Sequence, residues 1–260
     1  MSESFATVAA EAALKAGAIQ KERYGTKIQI DHKGEIDLVT EIDRQCEAAI
    51  VGLLRERFPE HDIVTEESDL ERRGSSYVWF VDPLDGTTNY AHAYPFFCTS
   101  IALTFEGEVV AGAVFDPIKQ ELFTAERGAG SFLNGRRLRV SSQDTLLRSL
   151  LVTGFPYDLK ADLSASVELF GRFLAHARAI RRDGAAALDL CYVAAGRVDG
   201  FWEGRLNLWD ILAGALMIEE AGGRVTRYDD TPLAMRADEV LGTNGVIHEA
   251  MLAVLAEGQP

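Results

Sequence analysis

Apolar residues recur at helical spacing in two segments near the start of the chain. The first begins at Phe5 and ends near Gly17, and its pattern predicts an amphipathic helix. The second begins after Thr40, which takes the N-cap position with Asp43 at the third helical position, and it stops before Pro59. A hydroxyl at the N-cap with an acidic residue three positions later is typical of a helix start, so this helix is well bounded.

Short apolar and β-branched runs dominate the next part of the chain. They are bounded by Gly, Asp or Pro, and they predict strands at residues 63–64, 77–81, 100–105, 109–115 and 121–124. Asn134-Gly135 predicts a hairpin turn between strands at 131–133 and 137–140. Residues 1–145 are therefore expected to form an α+β half with an antiparallel sheet.

Strand and helix patterns alternate after residue 145. We predict strands at 150–153 and 200–203 and helices at 163–179, 185–195 and 209–221. Residues 146–260 are therefore expected to form an α/β half. No repeat, low-complexity segment or flexible linker separates the two halves, so we expect one compact unit.

Composition and charge narrow the classes of partner. The chain has 260 residues, of which 47% are hydrophobic, and a formal net charge of -14. This acidic balance argues against nucleic-acid binding, which depends on clustered Lys and Arg. No apolar run reaches the ~20 residues that a membrane-spanning helix needs. Cys46, Cys98 and Cys191 form no CxxC pair, so we expect reduced structural thiols in a cytoplasmic protein.

Carboxylate chemistry is the catalytic pattern that this sequence offers. The GK[ST], HExxH and GxSxG motifs are absent, so triphosphate, zincin and hydrolase-triad sites lack support. Glu66, Asp82 and Asp85 each follow a predicted strand, and Asp43 and Asp210 stand in the first turns of predicted helices. Taken singly, each has a structural explanation, because such positions favour carboxylates through the helix dipole or through turn chemistry.

The segment from Asp82 to Thr88 is harder to explain by structure alone. Pro83 stiffens the turn, so that the carboxylates of Asp82 and Asp85 can converge with the carbonyl of Leu84. These are hard oxygen ligands of the kind that bind magnesium. Without a cation the carboxylates would repel each other, with raised pKa values as the result. Gly86-Thr87 offers backbone N–H groups for a phosphate, which favours metal-assisted hydrolysis of a phosphoester.

Several motifs of the chain together resemble the inositol monophosphatase family. They lie at residues 37–43, 65–68, 79–90, 184–189 and 209–214 with 220–223, in order over nearly the whole chain. The resemblance implies a layered αβαβα sandwich of the inositol monophosphatase and fructose-1,6-bisphosphatase type. It also implies a homodimer and a magnesium-dependent, lithium-sensitive phosphomonoesterase.

The resemblance implies two to three magnesium ions in each active site. Carried over by motif, Glu66, Asp82 and the Leu84 carbonyl would hold one ion, and Asp82, Asp85 and Asp210 a second. A third, weaker ion would be bound by Glu66 largely through water. The ions would activate a water for in-line attack on phosphorus, without a phosphoenzyme.

Further roles follow from the same motifs. Glu66 belongs to the catalytic set, and Asp43 and Thr87 would orient the attacking water and help to deprotonate it. The amides of Gly86 and Thr87 would hold the phosphate. Asp85 and Asp210 are expected to contact substrate as well as metal.

The alcohol side of the substrate is assigned from three positions. Glu203 stands seven residues before Asp210, where inositol-cleaving relatives place a carboxylate that binds hydroxyl groups, and Ala185 and Ala186 match positions that face the ring. The alternative for Glu203 is a solvated glutamate at a strand end. Histidinol-phosphate phosphatases carry Gly-Asp where this chain has Gly184-Ala185, which argues against that substrate.

Two other functions stay open from the sequence. Fructose-1,6-bisphosphate is a possible second substrate, because Arg181 or Arg182 would be able to anchor a second phosphate, although surface or interface roles are more usual for such residues. The chain could also serve as a regulatory, protein-binding partner on a phosphatase scaffold. His61 and His92 have no metal-ligand partner at suitable spacing and are interpreted as surface or loop residues.

Overall fold

The computed structural model describes residues 4–32, 38–156, 163–236 and 238–257. Asp37, at the start of the first family motif, lies outside the described residues. The helices are α1 (Phe5–Arg23), α2 (Glu41–Arg57), α3 (Thr87–Ala91), α4 (Leu163–His176), α5 (Ala186–Ala194), α6 (Leu208–Glu220) and α7 (His248–Ala256). A short 3-10 helix spans Leu146–Arg148.

The strands form a large sheet, a smaller sheet and one separate hairpin. The first eight are β1 (Ile30–His32), β2 (Leu38–Thr40), β3 (Asp62–Thr65), β4 (Tyr77–Asp85), β5 (Cys98–Phe105), β6 (Glu108–Asp116), β7 (Glu121–Glu126) and β8 (Gly130–Leu133). The others are β9 (Arg136–Arg137), β10 (Leu150–Thr153), β11 (Ala179–Arg181), β12 (Gly200–Gly204), β13 (Arg224–Thr226) and β14 (Glu239–Thr243).

The large sheet has seven strands in sequence order, from β3 to β9. Its β3–β4 pair is parallel and the other pairs are antiparallel. The expectation of an antiparallel sheet is therefore confirmed except at one edge. The hairpin turn is confirmed, because Asn134 and Gly135 both have positive φ and join β8 to β9, as a two-residue hairpin turn requires.

Strand β4 is buried on both faces of the large sheet. Trp79 and Val81 pack in the core that α1 and α2 form with the sheet. Val78 and Phe80 pack in the opposite core, which contains α5 and α6. A strand that is covered on both faces has apolar residues at consecutive positions rather than at alternate ones. This burial explains the apolar run at 77–81 and places the carboxyl end of β4 inside the protein.

The second sheet has five strands in the order β11-β10-β12-β14-β13. β10 pairs parallel with β11 and β12, whereas β14 pairs antiparallel with β12 and β13. Phe173 of α4 and Met251 of α7 pack with Trp202 and Leu241 on its outer face. The layers therefore run α1/α2, large sheet, α5/α6, small sheet and α4/α7, and the αβαβα sandwich is confirmed.

Helix α6 lies against the large sheet at very close range. A Cβ added to Gly112 of β6 would stand 3.2 Å from the Ala213 Cα atom, so a glycine is needed where helix and strand approach. α6 also contacts β13 and β14 of the small sheet. We propose that the two halves predicted around residue 145 form one packed unit, because this helix joins both sheets.

Three boundaries predicted from the sequence are wrong. The strand predicted at 137–140 is observed as β9 at Arg136–Arg137. α1 continues past Gly17 to Arg23, because Gly17 packs directly against Phe115 of the sheet. The helix predicted at 163–179 ends at His176, and Ala179–Arg181 forms β11 instead. Pairing with β10 overrides the helical pattern there. Within the described residues, no helix is both long and apolar enough to cross a membrane.

Candidate active site

The carboxyl end of β4 carries a bulge. Asp82 pairs with Ser100 of β5 and Asp85 pairs with Cys98, so the register shifts between these pairs. The sequence placed Asp82 and Asp85 in a turn after the strand, whereas the structure keeps both within β4 on either side of this irregularity. A bulge re-aims side chains locally, and here it allows two carboxylates three positions apart to reach the same cleft.

Neighbouring elements bring two further acids to the end of β4. β3 runs parallel to β4, and the Glu66 N–H donates to the Val81 carbonyl at 3.2 Å. Ser100, the strand partner of Asp82, donates its hydroxyl to the Trp209 carbonyl at 3.0 Å. This hydrogen bond holds the first turn of α6 next to the end of β4, and it thereby places Asp210 near Asp82.

The side chain of Asp210 is fixed by its own helix start. The Asn207 N–H donates to Asp210 Oδ2 at 2.7 Å, and the two residues form a capping box. One carboxylate oxygen is thereby used as a cap. The structural explanation of this position is correct, and it is compatible with a second role for the other oxygen.

Thr87 links the cleft to a buried acid behind it. Thr87 Oγ1 lies 3.0 Å from Asp43 Oδ1 and 3.0 Å from the Leu84 carbonyl. A hydroxyl has one proton to donate, so it bonds one of these acceptors at a time. Asp43 Oδ2 accepts from the N–H and the hydroxyl of Thr40 at 2.9 and 2.5 Å, which confirms the capping box of α2.

Asp43 is 0% exposed and lies behind the cleft rather than in its wall. Burial raises the pKa of this carboxyl, and the hydrogen bonds from Thr40 and Thr87 oppose the rise. Asp43 is therefore linked to the cleft through its hydrogen bond with the hydroxyl of Thr87, a residue of the cleft wall.

One cleft brings together the other predicted site residues. Its wall contains Glu66, Asp82, Leu84, Asp85, Gly86, Thr87, Ala185, Ala186, Glu203 and Asp210. It also contains Gly154, Phe155, Arg182, Gly184, Leu206 and Asn207, which the sequence did not assign to a site, apart from Arg182 as a possible anchor. Segments from both predicted halves thus meet at this cleft.

The carboxylates of the cleft oppose each other's ionisation. Burial raises the pKa of Asp82 well above its usual range, and the charges of Glu66, Asp85 and Asp210 raise it further. Burial also raises the pKa of Asp85 to about 7, although the Ala187 N–H donates to its Oδ2 at 2.8 Å and stabilises the charged form. Several acidic side chains therefore share one buried site, in which ionisation of all of them is unfavourable without a cation.

These donors fit a hard divalent cation. Carboxylate and carbonyl oxygens are the ligands that Mg²⁺ and similar ions prefer, and a cation would offset the repulsion that raises the pKa of Asp82. Within the described ranges, no group of three or more His, Cys, Asp or Glu side chains is arranged so that it could hold a metal ion as it stands. The fit accordingly rests on donor type and on charge in the shared cleft.

Gly86 supplies a backbone conformation that other residues rarely adopt. It has φ 92° and ψ 37° and precedes α3, and an added Cβ would stand 3.0 Å from the Phe96 carbonyl and 3.3 Å from the Gly184 carbonyl. Thr87 begins the helix, so the N–H groups here have no intrahelical acceptor. Donors of this kind suit an anion at the cleft wall.

Glu203 lies inside the protein, so the solvated strand-end alternative is wrong. It sits within β12, pairs with Val240 and is 7% exposed. Burial raises the pKa of Glu203 to about 8, against the opposing charge of Arg182. Its carboxylate fills the space beside Gly154, where an added Cβ would stand 2.2 Å from either oxygen.

The two candidate arginines differ in position. Both are exposed, but Arg182 lines the cleft, whereas Arg181 is not among the cleft-lining residues and donates to the Ile180 carbonyl at 3.1 Å. Arg182 is thus the one of the two that belongs to the cleft wall. His61 is also more enclosed than a surface residue, because it stacks between Phe58 and Tyr77 and accepts from the Trp79 indole at 3.1 Å.

Sequence reasoning missed two amides that hold the site together. Asn89 Nδ2 lies 2.7 Å from the Phe96 carbonyl and 2.8 Å from the Asp183 carbonyl, so it ties α3 to the segment before α5. Gln20 Nε2 lies 2.8 Å from the Pro83 carbonyl. Gln20 lies past Gly17, where the predicted helix ended, and its polar side chain on the buried face of the longer α1 is the signal that would have identified it.

Comparisons with known proteins agree with this geometry. The model of the inositol monophosphatase family matches residues 1–259. The inositol-1-monophosphatase of Synechocystis sp. is 43% identical over 98% of this chain and 89% of its own. The Nus factor SuhB of Escherichia coli K12 is 42% identical over 95% of this chain and 93% of its own. The solved inositol monophosphatase of Anabaena (Nostoc) sp. PCC 7120 has a TM-score of 0.90 at 42% identity, covering 98% and 96% of the two chains.

Proposed function

Because the chain belongs to the inositol monophosphatase family, we propose that it hydrolyses myo-inositol 1-phosphate to inositol and phosphate with Mg²⁺. The chain is a phosphatase of a family that uses divalent metal ions. The substrate and the metal are inferred from the cleft itself, whose wall combines a set of oxygen donors with Glu203.

Our proposal assigns the metal ligands by donor type. Two to three divalent cations held by Glu66, Asp82, the Leu84 carbonyl, Asp85 and Asp210 would neutralise phosphate charge and lower the pKa of a water molecule. The raised pKa of Asp82, caused by burial and by neighbouring carboxylates, supports this assignment. Glu66 also belongs to the catalytic set, since it stands beside Asp82 at the strand ends.

Asp43 and Thr87 are proposed to handle the proton of the attacking water. With a cation on the Leu84 carbonyl, the Thr87 hydroxyl would donate to Asp43, 3.0 Å away. Its oxygen is then free to accept from a water in the cleft. Asp43 would thereby fix the direction of the hydroxyl and accept its proton, as the hydroxyl oxygen takes a proton from the water.

Phosphate and alcohol are proposed to bind at opposite walls. The N–H groups of Gly86 and Thr87 donate to phosphate oxygens, as the left-handed Gly86 and the helix start after it allow. Glu203 accepts from hydroxyl groups of the ring, and Ala185 and Ala186 present backbone to it, since all three line the cleft. Asp85 and Asp210 contact the substrate between these walls.

A panel assay tests the substrate. Inositol 1-phosphate, fructose-1,6-bisphosphate, histidinol phosphate and phosphoadenosine phosphate are compared by phosphate release at equal Mg²⁺. We expect inositol 1-phosphate to give the largest kcat/KM. A larger value for any other member of the panel would replace the proposed substrate and leave the phosphatase assignment unaffected.

Arg182 supports a second candidate, a dual inositol monophosphatase and fructose-1,6-bisphosphatase. Its guanidinium lines the cleft near Glu203, where it would pair with a second phosphate. If so, Arg182→Ala should reduce turnover of the bisphosphate more than that of inositol 1-phosphate. A protein-binding role, in line with the name Nus factor SuhB of some relatives, has less support than either enzymatic function.

The resemblance also supports properties beyond the reaction. We propose a homodimer inhibited by lithium and located in the cytoplasm, where Cys46, Cys98 and Cys191 stay reduced and buried. Light scattering tests the dimer, for which we expect twice the 28.5 kDa chain mass. A mass of one chain would contradict it.

A further inference from the structure

Gln20 is a buried polar residue on a helix that otherwise packs through apolar side chains. It is 0% exposed, among neighbours such as Ala13 and Ala16 of the same face. Its Nε2 lies 2.8 Å from the Pro83 carbonyl and 2.9 Å from Thr99 Oγ1. Its Oε1 is buried and accepts no hydrogen bond from any described residue. An unpartnered buried oxygen destabilises the fold, so stability alone does not account for an amide here.

The bond from Gln20 falls on the peptide unit that orients Asp82. The Pro83 carbonyl and the Leu84 N–H are the two ends of one planar unit. The Leu84 N–H donates to Asp82 Oδ1 at 2.9 Å. Fixing the carbonyl end with Gln20 therefore fixes the direction of the N–H and, through it, the Asp82 carboxylate.

This peptide unit lies where the strand ladder is interrupted. The register between β4 and β5 shifts between Asp82 and Asp85, and Pro83 has no N–H to donate. Thr99 Oγ1 also lies near the Pro83 carbonyl, at a longer 3.2 Å. Of these two side chains, Gln20 of α1 is therefore the one closer to the Pro83 carbonyl.

Gln20 is itself held by α3, the helix that follows Gly86. The Tyr90 hydroxyl donates to the Gln20 carbonyl at 2.8 Å, and Tyr90 belongs to α3, the helix that begins at Thr87. The backbone of Gln20 is thereby tied to the anion side and its side chain to the carboxylate side. Through Gln20, helix α1 therefore fixes the position of the Pro83–Leu84 peptide relative to α3.

We propose that Gln20 is a positioning residue for the metal-binding segment. It holds the Pro83–Leu84 peptide so that Asp82 keeps one oxygen on the Leu84 N–H and presents the other to a divalent cation. Gln20 touches neither cation nor substrate. The inference rests on the proposed metal dependence and extends it to a residue outside the cleft wall.

Gln20→Met tests this role, because methionine keeps the length of the side chain and removes the donor. Thr104→Val is the matched control: Thr104 is also buried and donates to a carbonyl of β4, that of Val78, at 3.2 Å. Mn²⁺ binding to the metal-free, full-length protein is measured by calorimetry without substrate. Mg²⁺ activation curves with inositol 1-phosphate are recorded in parallel.

We expect Gln20→Met to raise the Kd for Mn²⁺ about threefold to tenfold, less than is usual for a direct partner of a metal ligand. Its kcat at saturating Mg²⁺ should stay within about twofold of the wild-type value, because Gln20 does not touch substrate. Thr104→Val should leave the Kd unchanged. An unchanged Kd in folded Gln20→Met, or an equal rise in both variants, would overturn the proposal.

A second variant covers the case in which Gln20→Met does not fold. Thr99→Val removes the second side-chain donor near the Pro83 carbonyl, the Thr99 hydroxyl, and should raise the Kd by a smaller factor. An unchanged Kd in this variant would count against the role of the peptide unit. A wild-type protein that binds no Mn²⁺ would instead overturn the proposed metal dependence itself.

Discussion

Replacing Glu203 by glutamine should make the metal-free protein more stable, and increasingly so as pH rises. Glu203→Gln keeps the shape of the side chain and removes an ionisable group. Burial raises the pKa of Glu203 from 4.5 to about 8, while the charge of Arg182 opposes the rise. The folded protein therefore binds this proton more tightly than the unfolded chain does.

The size of the effect follows from the two pKa values. A raised pKa in the folded state contributes stability that is complete below the unfolded pKa of 4.5 and is lost as pH rises through about 8. Each pKa unit corresponds to about 1.4 kcal/mol. The difference between the two pKa values, roughly 3.5, thus corresponds to roughly 5 kcal/mol of unfolding free energy once Glu203 is fully ionised. On the order of 3 kcal/mol of this is lost between pH 5 and pH 8.

Urea unfolding in excess EDTA measures this contribution. The free energy of unfolding is determined for wild type and Glu203→Gln at pH 5 and pH 8. Titrating groups that do not interact with Glu203 cancel in the difference, whereas Asp85 and Asp210 contribute to it through their charges. We expect the advantage of the variant to grow by about 3 kcal/mol over this range. Glu56→Gln, on the exposed side of α2, serves as control and should show no comparable gain. A difference between Glu203→Gln and wild type that is the same at both pH values would refute the reasoning.

Substitutions at Asp82, Thr87 and Glu203 test the site by activity. Asp82→Asn should lower phosphate release on the order of a hundredfold or more and leave the EDTA-treated fold as stable or more stable, since repulsion is relieved; wild-type rates would exclude Asp82 as a ligand. Thr87→Val should lower kcat by a similar factor and Thr87→Ser by much less, because only valine removes the hydroxyl near Asp43. Glu203→Gln should weaken hydrolysis of inositol 1-phosphate more than that of an aryl phosphate, and equal losses would remove its role in reading hydroxyl groups.

Features encoded within one segment were predictable from the sequence. The N-cap Thr40 and the acid at its third helical position predicted the capping box of α2, which is confirmed. The helix predicted at 209–221 is observed at Leu208–Glu220. In both cases neighbouring residues determine the structure, because capping and amphipathic spacing act within a few turns.

Contacts between distant segments were not predictable in the same way. Gln20 reaches Pro83 across 63 positions of sequence and Asn89 reaches Asp183 across 94. Periodicity shows which face of a helix is buried but not which carbonyl it meets. Arg182 reaches the cleft for the same reason, since only the packing of both sheets places the segment before α5 beside Glu203.

Strand β11 shows a limit of another kind. The apolar pattern of α4 runs on towards Ala179, and the sequence therefore extended the helix. Ala179 pairs instead with Leu150 of β10. A long-range ladder decides the conformation of a short segment whose local preference is weak.

Phosphate release from inositol 1-phosphate, with and without chelator, tests the central proposal most directly. The full-length protein is assayed in Mg²⁺, then in excess EDTA, then after Mg²⁺ is restored above the EDTA concentration. We predict turnover in the first condition, its loss in the second and its recovery in the third, because the carboxylates of the cleft need a cation to bind phosphate. Undiminished turnover in excess EDTA would contradict the proposal.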